Sequence, residues 1–229
     1  MPLNSALRIL YTSALPGLSQ MYASLDSEGV TDYVGPLMIH CWEDRYLASR
    51  HRLMIFGQET YGWYEDYMRT GKDVDECLTQ YEDFRLGEGY SSLFWQYAHL
   101  LNEKINGKDD LNFVWANVNR FGVDGAGKPD QRVLDNEVRY FNVLPSELEI
   151  LKPDICIFLS GPSYDGDLAR KLPDLKILPF QDYPLNEAAR LQSSHLPFHS
   201  YRTYHPGYGN RYKDWYLELL DKIVSGASV

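Results

Sequence analysis

Three short stretches combine residue types that could do chemistry together. Gly57-Gln58-Glu59-Thr60-Tyr61 puts a carboxylate two residues after a glycine. A glycine lets the backbone approach a ligand closely, and a carboxylate beside it can aim into a cleft. The same pair serves equally as ordinary turn chemistry. Trp115-Ala116-Asn117-Val118-Asn119-Arg120 offers an asparagine, whose side chain presents a donor and an acceptor together. That pairing suits the edge of a nucleobase; alternatively, Asn117 only caps or turns the chain. The third stretch runs from Tyr201 to Lys213 and contains His205-Pro206-Gly207, a sharp turn that would hold the imidazole in place. Arg202, Arg211 and Lys213 alternate with tyrosines there, as where single strands of nucleic acid are stacked and neutralised. The competing reading is an aromatic surface loop leading into a helix.

These stretches matter because of what precedes them. Leu53–Phe56, 112–116, 155–159 and 200–204 are short apolar runs, each stopped by a turn residue. Runs of this length suit strands buried on both faces. Leu7, Leu10, Leu18, Met21 and Leu25 make a broken helical stripe over 5–27, and Trp42 to Arg52 reads as a second short helix. A helix is expected over 92–105, capped by Ser91 or Ser92. Val138, Phe141, Leu144, Leu148 and Leu151 keep helical spacing over 137–151, where Pro145 should kink or divide the helix. Tyr212, Trp215, Tyr216, Leu219, Leu220 and Ile223 share one face of a last helix, with Asn210 as its cap. Alternating strands and helices predict an α/β fold: a three-layer α/β/α sandwich around a central, mainly parallel four-stranded sheet. Ligands in such folds bind beyond the carboxyl ends of the strands, which is where the three stretches fall.

Bulk properties narrow the function. A chain of 229 residues suits one domain, 1–229. No apolar run approaches the roughly 20 residues of a membrane span, and Met1 to Tyr11 lacks the pattern of a signal peptide. Cys41, Cys77 and Cys156 are far apart in sequence, so neither a zinc site nor a cysteine-ligated cluster is expected. No cofactor is implied, and a sparse cysteine set suits a reducing cytoplasm. The net charge of −10 counts against a tight, non-specific grip on duplex DNA, while leaving room for a local basic patch around His205. Acidic residues crowd one stretch, Glu65, Asp66, Asp73, Asp75, Glu76, Glu82, Asp83 and Glu88. They read as a solvated surface excursion, or else as a lid or partner surface.

Taken together and in order, the motifs resemble those of the uracil-DNA glycosylase superfamily, from about Leu53 to Tyr212. Gly57-Gln58-Glu59-Thr60-Tyr61 resembles that family's first motif, a Gly-Gln-Asp-Pro-Tyr-like turn. Asn117 is similar to its strand-end asparagine. Leu151-Lys152-Pro153-Asp154 and the apolar strand ending Ser160-Gly161 look like its third element, and Thr203-Tyr204-His205-Pro206 like its last. The resemblance implies hydrolytic excision of uracil or a related damaged base from DNA. Glu59 would support the cationic sugar and position water, and His205 would hydrogen-bond the departing base. Asn117 would read the base edge, Tyr61 would wall the pocket, and Tyr90 or Phe94 would stack on the base. Gly57 and Gln58 would line the pocket, and Tyr208 would wedge into the duplex. Three positions depart from the pattern: glutamate for aspartate at Glu59, threonine for proline at Thr60, and glycine for serine at Gly207. Two other readings therefore stand beside the enzyme: a non-catalytic module that holds a nucleobase, nucleotide or single strand, and a structural member with a vestigial pocket.

Overall fold

The computed structural model describes residues 1–63, 73–125, 127–208 and 213–227. The expected cap Asn210, Arg211, Tyr212 and the acidic Glu65 and Asp66 lie outside them. Four buried strands form where the apolar runs fall: β1 (Leu53–Gly57), β2 (Phe113–Asn117), β3 (Ile155–Phe158) and β6 (His199–Thr203), with β4 (Lys176–Pro179) and β5 (Ala188–Gln192) between the last two. The sheet therefore has six strands rather than the expected four, in the order β2-β1-β3-β6-β5-β4. These four expected strands are mutually parallel. The two additional ones are antiparallel, β5 to β6 and β4 to β5, so the sheet is mixed.

Helices lie against both faces. Trp115, Ile55, Ile157 and Tyr201 are in register and share one face. That face meets α4 (Leu93–Asn106), whose Trp95 ring lies 5.0 Å from Trp115. It also meets α8 (Lys213–Ala227), where a side chain at Gly226 would come within 3.2 Å of the Tyr201 hydroxyl. The opposite face carries Phe56 and Phe158, stacked 4.2 Å apart, and Arg202. Arg202 pairs with Asp165 at the start of α7 (Asp165–Lys171). α7 packs on α5 (Gln131–Tyr140), and α1 (Leu3–Ser27) packs on both α5 and α6 (Leu144–Leu151). α1 runs unbroken through Pro16 and buries Leu7, Tyr11, Leu18, Met21 and Leu25.

The stretch expected as one kinked helix over 137–151 is two helices, divided at 141–143, with Pro145 in the first turn of α6, where its missing N–H costs nothing. The helix expected over Trp42–Arg52 is shorter, α2 (Glu43–Ala48). The acidic side chains from Asp73 to Glu88 are exposed, as a solvated surface requires, and most of them ride on a helix. Asp73 and Glu76 form a reciprocal cap on α3 (Val74–Phe84), which buries Val74, Cys77, Gln80 and Tyr81. The Tyr81 hydroxyl donates to the Trp115 carbonyl at 2.7 Å and accepts from the Trp115 N–H at 2.9 Å. One side chain thus closes the open edge of β2.

The strand order reverses direction at β1: the chain leaves β1 for β2 on one side and returns to β3 on the other. A crevice opens outside the carboxyl ends of strands at such a reversal.

Candidate functional site

A cleft of about 830 Å3 occupies that crevice. Gly57, Gln58, Glu59 and Tyr61 line it from the β1 exit, Asn117 from the β2 exit and His205 from the β6 exit. Tyr90 and Phe94 complete one side. Residues separated by almost 150 positions in sequence thus meet in one cavity. Tyr208 lies instead in an adjoining pocket of about 430 Å3, which shares Leu93, His205 and Gly207 with the cleft. Its ring stacks on Tyr204, 4.6 Å between centroids.

Each side chain is set by its element. At Gly57 a Cβ would stand 2.4 Å from Asn117 Oδ1 and 3.2 Å from a Phe94 ring carbon, so only glycine lets strand end, asparagine and ring close together. Gln58 is not a free ligand-binding group at its nitrogen: its amide donates to the Ser160 carbonyl at 2.7 Å and ties the β1 exit to the β3 exit. The Glu59 carboxylate accepts a hydrogen bond from the Tyr164 hydroxyl on Oε1 at 2.6 Å, while Oε2 is buried without a partner. Burial pushes this carboxyl above the usual carboxylate range, against the pull of Tyr164 and Lys128. Asn117 is 2% exposed, its carbonyl accepts from Arg120 Nη1 at 2.8 Å, and its Nδ2 has no partner.

The His205 ring receives the Gly207 N–H on Nδ1 at 3.1 Å. Burial lowers its pKa, so at neutral pH it is uncharged, and the occupied Nδ1 leaves the proton on Nε2. The ring lies nearly parallel to Phe94, 5.7 Å between centroids and 11° between planes. The site therefore combines a buried carboxylate with one oxygen spare, a neutral imidazole N–H donor, an amide donor and a ring for stacking. Tyr61, at 76% exposed, stands at the rim rather than deep in the wall, and Tyr90 is also largely exposed.

Several residues were not singled out from the sequence. Trp63, Phe84, Trp95 and Trp115 form an aromatic floor to the cleft. Isolated aromatic residues of this kind read from the sequence as core. Tyr164, Lys128 and Asp167 stand behind Glu59. Beneath the β2 exit, Arg120 pairs with Glu147 and Lys171 with Glu137, all four side chains almost fully buried. One expectation is corrected. Arg202 is not part of a basic patch: it is 1% exposed, bound to both oxygens of Asp165 and to the Leu185 carbonyl. It sits on the face of β6 opposite Tyr201, and an uncompensated guanidinium could not be buried there. Lys213 lines the adjoining pocket.

Among the described residues, no group of three or more His, Cys, Asp or Glu gathers to hold a metal ion, and no helix is long and apolar enough to cross a membrane. No protein-family model matches the chain. A search of curated proteins finds no significant match.

Proposed function

We propose that this chain is a divergent member of the uracil-DNA glycosylase-like superfamily, and that its cleft takes an extruded nucleotide and hydrolyses the N-glycosidic bond. The observation that carries the reading is the convergence of Glu59, Asn117 and His205, from three separate strand ends, on one cleft. Asn117 Nδ2 donates to a carbonyl on the base edge. Phe94 offers the base a ring face. As the bond between base and sugar C1′ breaks, negative charge gathers on the base and positive charge on the sugar. The neutral His205 Nε2–H then donates to a base oxygen, an interaction that strengthens as the charge develops. The Glu59 carboxylate faces the cationic sugar and takes the proton of the attacking water. The water oxygen bonds to C1′, and the departing base is reprotonated from solvent.

A binding module that holds a base without excision is favoured by one observation. Arg202, the cation nearest His205 in sequence among the described residues, is committed to Asp165, which weakens the grip on a phosphate backbone. Single-turnover excision beside equilibrium binding separates the two, using uracil-containing oligonucleotides with wild type, Glu59→Gln, His205→Ala and Asn117→Ala. For an enzyme, Glu59→Gln and His205→Ala lose rate while affinity stays near wild type. For a binding module, wild type forms no abasic sites and Asn117→Ala is the most damaging change to affinity.

A further inference from the structure

Glu59 does not stand alone at the cleft wall. The Tyr164 hydroxyl holds Oε1 at 2.6 Å. The Lys128 ammonium sits over the Tyr164 ring, 3.9 Å from its centroid. That ammonium is itself fixed by the Ser163 carbonyl at 3.0 Å and by Asp167 Oδ2 at 2.6 Å. Asp167 is anchored in turn by Arg170 at 3.0 Å and Asn119 at 3.4 Å. The chain of contacts joins the turn before α7 to the segment after β2, and Glu59 is its end on the cleft. The backbone around Glu59 is tied to the segment after β2 by the Asn119 N–H to the Gln58 carbonyl and the Gly62 N–H to the Val123 carbonyl, both at 3.0 Å, while the carboxylate itself is oriented from outside its own segment by Tyr164.

We propose that Tyr164, braced by Lys128 and Asp167, is a positioning residue that orients the Glu59 carboxylate and sets the pH range over which it acts. The proposal rests on Glu59 being the working carboxylate of the proposed function. Three physical effects support it. A hydroxyl donor on Oε1 stabilises the charged form and leaves Oε2 as the oxygen with unused acceptor capacity. A cation over a phenol ring holds the ring and lends positive potential to the site. The carboxyl feels burial first, which favours the neutral acid, then the Tyr164 hydrogen bond and Lys128 in the opposite sense, with Asp167 raising it and Asn119 adding a smaller downward pull. The neutral His205 across the cleft adds no charge. Tyr164 and Lys128 are thus the two largest pulls against the rise that burial imposes on the carboxyl.

The test reads Glu59 directly. With glutamate side chains labelled with carbon-13, the Glu59 titration midpoint is measured in wild type, Tyr164→Phe and Lys128→Met, with melting temperature recorded alongside. The expected result is an upward shift of the midpoint in Tyr164→Phe and a smaller upward shift in Lys128→Met. The acid limb of the excision profile should move with it, and kcat should fall on the order of 100-fold at nearly unchanged Kd, as small misplacements of catalytic groups do. A Glu59 midpoint that stays put in Tyr164→Phe overturns the proposal, whatever happens to melting temperature. If Tyr164→Phe does not fold, the same reading on Lys128→Met decides, because that side chain is about one-third exposed and Asp167 keeps Arg170 as a partner. Absence of excision in wild type would overturn the proposed function, while the titration would still decide the role of Tyr164.

Discussion

At the scale of single residues, Glu59 carries opposing demands. Reactivity asks for a carboxylate in a partly buried place, and burial opposes the charge. The folded-state carboxyl is raised above its unfolded value, which is about 4.3 for a free glutamate side chain. Between those two values the folded chain holds the proton more tightly than the unfolded chain. Stability therefore falls as pH rises through that window, and above it the ionised group remains a net cost. Glu59→Gln keeps the size and still accepts from Tyr164, but has no charge to bury. Its melting temperature should exceed that of wild type at pH 7, with the gain shrinking toward pH 4, where the wild-type side chain is also neutral. On the proposed function, excision by the same variant should fall by roughly 100- to 10,000-fold, the range for loss of a general base. Calorimetry at both pH values checks the first part. A variant that melts below wild type at pH 7 would show that Glu59 is held for the fold and not for chemistry.

At the scale of elements, the sheet shows what periodicity can and cannot reveal. β1, β2 and β3 lie within one or two residues of their apolar runs because strands buried on both faces need apolar side chains at nearly every position. β6 is just as buried but carries Ser200, Arg202 and Thr203, with Arg202 satisfied by Asp165. β4 and β5 gave no such signal. Lys176-Ile177-Leu178-Pro179 is partly exposed at the sheet edge, and Ala188-Ala189-Arg190-Leu191-Gln192 has little strand propensity of its own. They form because the exposed edge of β6 accepts an antiparallel hairpin. From Asp73 to Glu88 the acidic stretch is solvated as expected, but its helix was hidden for a different reason: net charge masked the spacing of Val74, Cys77 and Tyr81, which puts all three on one helical face. Tyr81 gives this element its sharpest test. Its hydroxyl serves both the N–H and the carbonyl of Trp115, and the residue is fully buried. Tyr81→Phe removes an atom that water cannot replace and leaves two backbone groups unpaired, each costing about 1–3 kcal/mol. The variant should unfold at lower urea with an unchanged denaturant slope. A midpoint equal to that of wild type would mean that β2 does not depend on α3.

At the scale of the whole molecule, the cleft was legible as a set of strand ends and its support was not. Gly57, Glu59, Asn117 and His205 could be gathered because each follows an apolar run, and the α/β pattern sends all such ends to one side. Nothing in the sequence pairs Arg120 with Glu147 or Lys171 with Glu137, since these partners come from elements whose packing is fixed only by the completed fold. Together they tie four helices to the β2 exit. Glu147 of α6 also accepts from Tyr11 of α1 at 2.6 Å, and Glu137 of α5 also accepts the Arg120 N–H at 3.0 Å. Lys171 of α7 reaches Glu137 and, at 3.2 Å, Asn119 Oδ1. The segment that carries Asn117 is therefore held from below by buried charges that balance pairwise. Breaking such a balance costs more than losing a contact, because the remaining Lys171 ammonium keeps only neutral acceptors, the Val118 carbonyl and Asn119 Oδ1, and is left buried with no counter-charge. Glu137→Gln keeps the shape and the acceptor for Arg120 but strands the Lys171 ammonium. It should lose about 3–5 kcal/mol in urea unfolding and, on the proposed function, weaken binding of a uracil-containing oligonucleotide at the same time, since the Asn117 segment loosens with it. Adding Lys171→Met removes the stranded charge, so the double variant should be more stable than Glu137→Gln alone, a non-additivity that a double-mutant cycle measures. The exposed pair of Arg8 and Asp75 is the control: breaking it should change little, because water solvates whichever charge remains. A double variant no more stable than Glu137→Gln would show that the loss comes from packing around Glu137 and not from an uncompensated charge.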